Sequence, residues 1–155
     1  MVREEATAAG LEHRRDNLIA VGVRLRSEGG PGVLARRILP RLSGRDVVDS
    51  IRHPGEVEVL RTLPHFVLLG LNAPLSLRFK RSISRGRLGD GATLQEFSRK
   101  EALENSESEA GQQLERTLRL ADLHIANDGT IADLAASLSA VLGDLERSRN
   151  GSPTQ

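Results

Sequence analysis

The 155-residue chain has no cysteine, tryptophan or tyrosine, and only three phenylalanines. Without cysteine there are no disulfides, thiolate metal ligands or thiol nucleophiles, which fits a cytoplasmic protein. Aromatics at 2% leave little for base stacking, the usual device of single-strand nucleic-acid binders. Lysine is almost absent: all the basic residues except Lys80 and Lys100 are arginine. The formal net charge is +1, so no global basic field points to nucleic acid. No apolar run approaches membrane-spanning length. "MVREEATAAG" is charged from its third residue, unlike a signal peptide. The expected partner is therefore a small molecule, with no nucleic acid and no membrane.

Hydrophobic residues make up 38%, enough for an aliphatic core in one domain. Helices are predicted over 2–9, closed by Gly10, and over 14–28, where Leu18, Val21 and Leu25 share a face. "GGPG" (Gly29 to Gly32) breaks the second, and Pro31 opens a third carrying Val33, Leu34 and Ile38. Then the period changes. "DVVDS" (46–50), "HFVLLGLN" (65–72) and "DLHIAN" (122–127) read as buried strands of a small parallel sheet. Helices are expected between and after them, over 55–63, 75–85, 93–103, 110–120 and 131–147. The predicted fold class is α/β with a domain over 1–147 and a disordered tail over 148–155.

Ligands of open α/β sheets bind beyond the carboxyl ends of the strands. Asp49 and Arg52 follow the first strand, Asn72 to Pro74 the second, and Asn127, Asp128, Gly129 and Thr130 the third. Asp49 has two readings, a Mg²⁺ contact through water or a cap on the following turn. Arg52 reads as a bidentate phosphate grip or as a solvated arginine. Arg78, Arg81 and Arg85 fall on one helix face, Arg87 extends the run beyond Gly86, and no acid intervenes between Leu75 and Leu88. "RLGDGAT" follows as a flexible loop, so 78–106 reads as a mobile lid. His13, His65 and His124 are scattered, and "GGPG" lacks the Gly-Lys-Ser/Thr of a phosphate loop.

Taken in order, "GPGVLARRI", "VVDSIRHPGEVE", "RSISR", "GQQ" and "ADLHIANDGT" give a chain that resembles the P-loop nucleotide kinases of the dephospho-CoA kinase-related and adenylate kinase-like type, over about residues 2–142. The resemblance implies roles: Arg3 and Arg52 on the acceptor's phosphate, Asp49 near Mg²⁺ through water, Arg81 and Arg85 as catalytic lid arginines on the ATP phosphates, Arg78 as a lesser addition, and Asn127 to Thr130 against the adenine. ATP and Mg²⁺ are the implied cofactors, and a nucleotide or CoA precursor the implied partner. The resemblance also exposes a gap. The Gly-x-x-x-x-Gly-Lys-Ser/Thr loop, its helix and its two flanking strands have no counterpart: neither Lys80 nor Lys100 follows a glycine or precedes a serine or threonine. Missing is roughly one strand–helix–strand unit, including the central first strand. A misplaced start or a gene truncation is the expected cause, and unpaired strand edges open to association the expected result. The function expected is an ATP-dependent phosphotransferase-like domain, incomplete or inactive in this form. The alternative is a non-catalytic relative that binds a nucleotide or other anion, or a partner.

Overall fold

The computed structural model describes residues 1–86, 91–105 and 107–150, with the side chains of 149 and 150 outside the description. The chain is mixed α/β. Its helices are α1 (Val2–Ala8), α2 (Arg15–Gly29), α3 (Val33–Ile38, followed by a 3₁₀ turn, Leu39–Arg41), α4 (Pro54–Leu60), α5 (Leu75–Arg85), α6 (Leu94–Glu104), α7 (Leu114–Arg119) and α8 (Ile131–Asn150). Two strands, β1 (Leu69–Asn72) and β2 (Leu123–Ala126), pair in parallel, with Leu69 opposite Leu123 and Asn72 opposite Ala126. Among the described residues no helix is long and apolar enough to cross a membrane.

The largest correction concerns 46–50. This run is not a strand: it is unpaired coil, with Val47 94% exposed. A β-branched run gains its strand geometry from ladder neighbours and packing, and here it has neither. The sheet of the described residues therefore has two strands, not three. Its first strand is also shorter than 65–72. His65 takes a left-handed conformation (φ 62°), and Phe66 N–H turns back to the Leu63 carbonyl, so the ladder starts only at Leu69. Below it the Asp122 carboxylate accepts the Leu68 N–H at 2.8 Å and closes the open end.

The helices follow local chemistry. Thr93 caps α6 in a reciprocal box with Glu96. Gly86 ends α5 in the left-handed conformation. Helix α7 begins at Leu114 rather than near Ala110: Gln113 N–H donates to the Arg52 carbonyl (2.9 Å), outside the helix, and 111–113 are buried. Helix α8 continues to Asn150, past the expected end at Arg147; 151–155 lie outside the described residues.

The core sits among the early helices. Ala6, Val21, Leu25, Val33 and Leu34 cluster with Met1, Val2 and Leu18, while Val57 and Leu60 of α4 are 1% exposed. "GGPG" has a packing role here. A Cβ on Gly32 would lie 2.7 Å from the Gly55 carbonyl oxygen, and one on Gly55 would lie 2.9 Å from the Pro31 Cβ. The start of α3 and the start of α4 thus touch backbone to backbone. That contact fixes where the chain around Arg52 enters α4. Gly55→Ala should therefore cost about 2 kcal/mol of unfolding free energy, the scale of an overpacked core. Urea denaturation followed by circular dichroism checks it, and an unchanged midpoint would show that the two helix starts separate freely.

Candidate oxyanion site

The chain from Ser50 to Glu56 builds a buried polar cluster. Ser50 adopts a left-handed conformation (φ 67°), rare for a side-chain-bearing residue, and turns the exposed segment into Ile51 and Arg52. His53 then caps α4: its Nδ1 accepts the Gly55 N–H at 3.0 Å, and Pro54 supplies the first helical residue. Glu56, in the first turn, reaches back. Its Oε2 accepts the Arg52 N–H at 2.8 Å, and its Oε1 accepts Nε (3.1 Å) and Nη2 (2.7 Å) of Arg26 on α2. Arg26 and Glu56 are both 4% exposed. With its N–H on Glu56 and its carbonyl on Gln113 N–H, Arg52 has both backbone polar groups fixed.

The Arg52 side chain leaves this anchor toward a second acid. Its Nη1 donates to Gln112 Oε1 at 3.0 Å and lies 3.6 Å from Glu104 Oε2, at the end of α6. Arg15, in the first turn of α2, donates from Nε to the other oxygen, Glu104 Oε1. The Arg15 guanidinium also lies 5.8 Å from the centroid of the Phe97 ring, which packs at 5.7 Å on Phe79. Side-chain exposure is graded: Glu104 5%, Arg15 20%, Arg52 39%. Two guanidinium groups from separate elements thus converge on one buried carboxylate, an arrangement suited to holding an oxyanion through charge-assisted hydrogen bonds. Among the described residues, Nη2 of Arg52 carries no hydrogen bond.

The other residues singled out in the sequence lie elsewhere. Arg78 pairs bidentately with Glu101 (Nε 3.0 Å, Nη2 2.6 Å), which raises its pKa above the ordinary arginine value, and also donates to the Ala73 carbonyl. Arg81 reaches the loop after β2, where its fork is closed on the carbonyls of Asn127 (2.7 Å) and Gly129 (3.0 Å). Arg78 is therefore not uncompensated: its counter-acid, Glu101, comes from α6. Arg3 and Arg85 are exposed, and Arg87 lies outside the described residues. Asp128 lines an open cleft of about 670 Å³ beyond the strand ends, with Asn72, Arg78 and His124. Thr130 hydrogen-bonds Asp133 at the start of α8, which holds the Asp133 carboxyl below the usual aspartate range.

Asp49 is exposed, in unpaired coil, and makes no hydrogen bond among the described residues. No group of three His, Asp or Glu side chains there or elsewhere among them is arranged to hold a metal ion.

Comparison with known proteins decides the family. No protein-family model matches the chain. A UPF0200 protein of Methanothrix thermoacetophila is 36% identical over 152 residues, covering 96% of this chain and 82% of that one. A UPF0200 protein of Methanoculleus marisnigri is 32% identical over 146 residues, covering 91% and 77%. The chain belongs to the UPF0200 family. In the UPF0200/UPF0201 protein of Archaeoglobus fulgidus, 31% identical, the match spans 92% of this chain but only 45% of that longer protein. None of these relatives is named as a kinase. This overturns the resemblance to P-loop nucleotide kinases, and the kinase and P-loop assignments fall with it.

Arg15, Glu104, Gln112, Arg26 and Glu56 were missed from the sequence. Arg15 and Glu104 are 89 positions apart, and Glu104 opens a stretch, "ENSESEAG", that reads as an acidic loop. Glu56 alone carried a signal, since an acid in a first helical turn after His-Pro is placed to reach back.

His53 gives the cluster a pH response. Burial pushes its pKa below the ordinary histidine value; the positive charge of Arg26 adds to this, Glu56 opposes it and Arg116 reinforces it. Protonation would also place a hydrogen on the Nδ1 that accepts from Gly55. The folded protein therefore binds this proton more weakly than the unfolded chain, whose histidine titrates near pH ~6.5. The stabilising contribution is complete above that pH and is lost as pH falls through it toward the lower folded value. The melting temperature should drop between pH 7.5 and 5.5, and His53→Asn, which keeps a capping acceptor, should drop less. Equal drops in the two proteins would contradict the assignment.

Proposed function

We propose that this UPF0200 protein is a non-catalytic binder of a small phosphate-bearing anion, of the size of a nucleotide or CoA precursor, at Arg15 and Arg52. The observation that carries the reading is the convergence of these two guanidinium groups on the single carboxylate of Glu104. Three features support it. The Arg52 backbone is fixed at both polar groups, so its side chain starts from a rigid point. Its side chain is 39% exposed, so solutes reach it. Gln112, buried beside it, adds an amide able to donate as well as accept. By contrast, the forks of Arg78 and Arg81 are engaged by Glu101 and by backbone carbonyls, which disfavours a phosphate seat on α5.

Calorimetry with inorganic phosphate, AMP, dephospho-CoA and ATP with Mg²⁺ tests the reading. Binding of at least one phosphate-bearing ligand is expected. Arg52→Gln should weaken it by about tenfold or more, the loss of one charge-assisted hydrogen bond. No heat with any of the four, or an Arg52→Gln protein that binds as the parent does, would refute it.

A further inference from the structure

The same cluster says what kind of anion fits, an inference that rests on the anion-binding reading. The two guanidinium groups do not face an empty seat: a side chain of the protein fills it. Glu104 is 5% exposed, its Oε1 holds Arg15, and its Oε2 lies 3.6 Å from Arg52 Nη1. With Glu104 in place the three groups sum to one positive charge; with it displaced they sum to two. A ligand must therefore outcompete a carboxylate already in position, one with no translational freedom to lose. A carboxylate ligand exchanges like for like and gains nothing. A phosphate monoester dianion brings a second charge and a third oxygen, enough to engage both arginines and Gln112 together.

We propose that Glu104 is a built-in competitor that makes the Arg15–Arg52 seat selective for a dianionic phosphate group over carboxylates. Entry of the phosphate displaces the Glu104 side chain and loosens the residues of α6 between Glu101 and Asn105. The position of Glu104 favours such a release. It is the final residue of α6, and the next residue, Asn105, is bridged to Gln113 and accepts the Glu115 N–H at 2.9 Å. The helix body is held separately, by the Arg78–Glu101 pair and by Phe97 on Phe79. The Glu104 side chain thus lies between two fixed points, and its departure breaks neither. The seat reports occupancy to α7 through the same short segment, because Gln112 and Gln113 both contact Arg52.

The experiment is titration of the full chain with inorganic phosphate and with acetate at pH 8, where phosphate is the dianion, for the parent, Glu104→Gln and Arg52→Gln. AMP in a parallel arm separates a phosphate carried on a nucleoside from the free ion. The parent should prefer phosphate to acetate, and Glu104→Gln should bind phosphate about tenfold tighter, the scale of one charge-assisted contact removed from the competitor. It should also take up acetate measurably, since the competitor is gone. If Arg52→Gln weakens phosphate binding but Glu104→Gln leaves it unchanged or weaker, the anion site stands and the competitor role is overturned. If no protein binds phosphate or AMP, the site reading fails and takes this inference with it. Hydrogen exchange on the parent provides a readout that needs no variant. Phosphate should speed exchange at 102–104, and unchanged or slower exchange there with phosphate bound overturns the proposal.

Discussion

Arg26 and Glu56 are two charges buried side by side, and much of the polar architecture hangs from them. Removing such ions from water is expensive, and the cost is offset only when every lone pair and proton finds a partner. Glu56 meets that condition: one oxygen takes two N–H groups of Arg26 and the other takes the backbone N–H of Arg52. The pair therefore ties α2 to α4 and fixes the turn between Ser50 and Pro54. The donors are less completely matched. Nη1 of Arg26 and Nε2 of His53 are buried without a hydrogen-bond partner, so the cluster retains unsatisfied donors around a satisfied acid.

From that anchor the network opens outward by degrees. Arg26 and Glu56 are in the core, Glu104 is buried at the end of α6, Arg15 is mostly covered, and Arg52 reaches solvent. This gradient is what gives the site its chemistry. A fully buried guanidinium would be a structural ion, and a fully exposed one would be solvated and mobile. Arg52 has a rigid backbone and an accessible fork, and its partner acid lies at an element boundary rather than mid-helix.

Much of the helical scaffold was legible in the sequence, because its signals are local. The 3.6-residue period of Leu18, Val21 and Leu25, the Thr93 cap and the Gly86 stop each act within one turn. The strands were legible only where a partner exists. "LHIA" and "LGLN" pair, whereas "VVDS", the most β-branched of the three, stays unpaired. Strand character is conferred by a neighbour, and no local pattern reports whether one is there. The site was half legible. Arg52 stood out from its place after an apolar run; Glu56 was missed, although its place after His-Pro carried a signal. The rest depends on long-range pairing: Glu101 neutralises Arg78 from the next helix, and Glu104 meets Arg15 from 89 residues away. The kinase resemblance, which the UPF0200 relatives overturn, rested on local motifs read without those pairings.

The central claim is that Arg15 and Arg52 form one oxyanion seat now filled by Glu104. A crystal structure of the chain grown with inorganic phosphate tests it most directly. The account predicts phosphate oxygens within hydrogen-bond distance of both guanidinium groups and Gln112, with the Glu104 carboxylate turned away. Phosphate bound elsewhere, with Glu104 still between the two arginines, would contradict it.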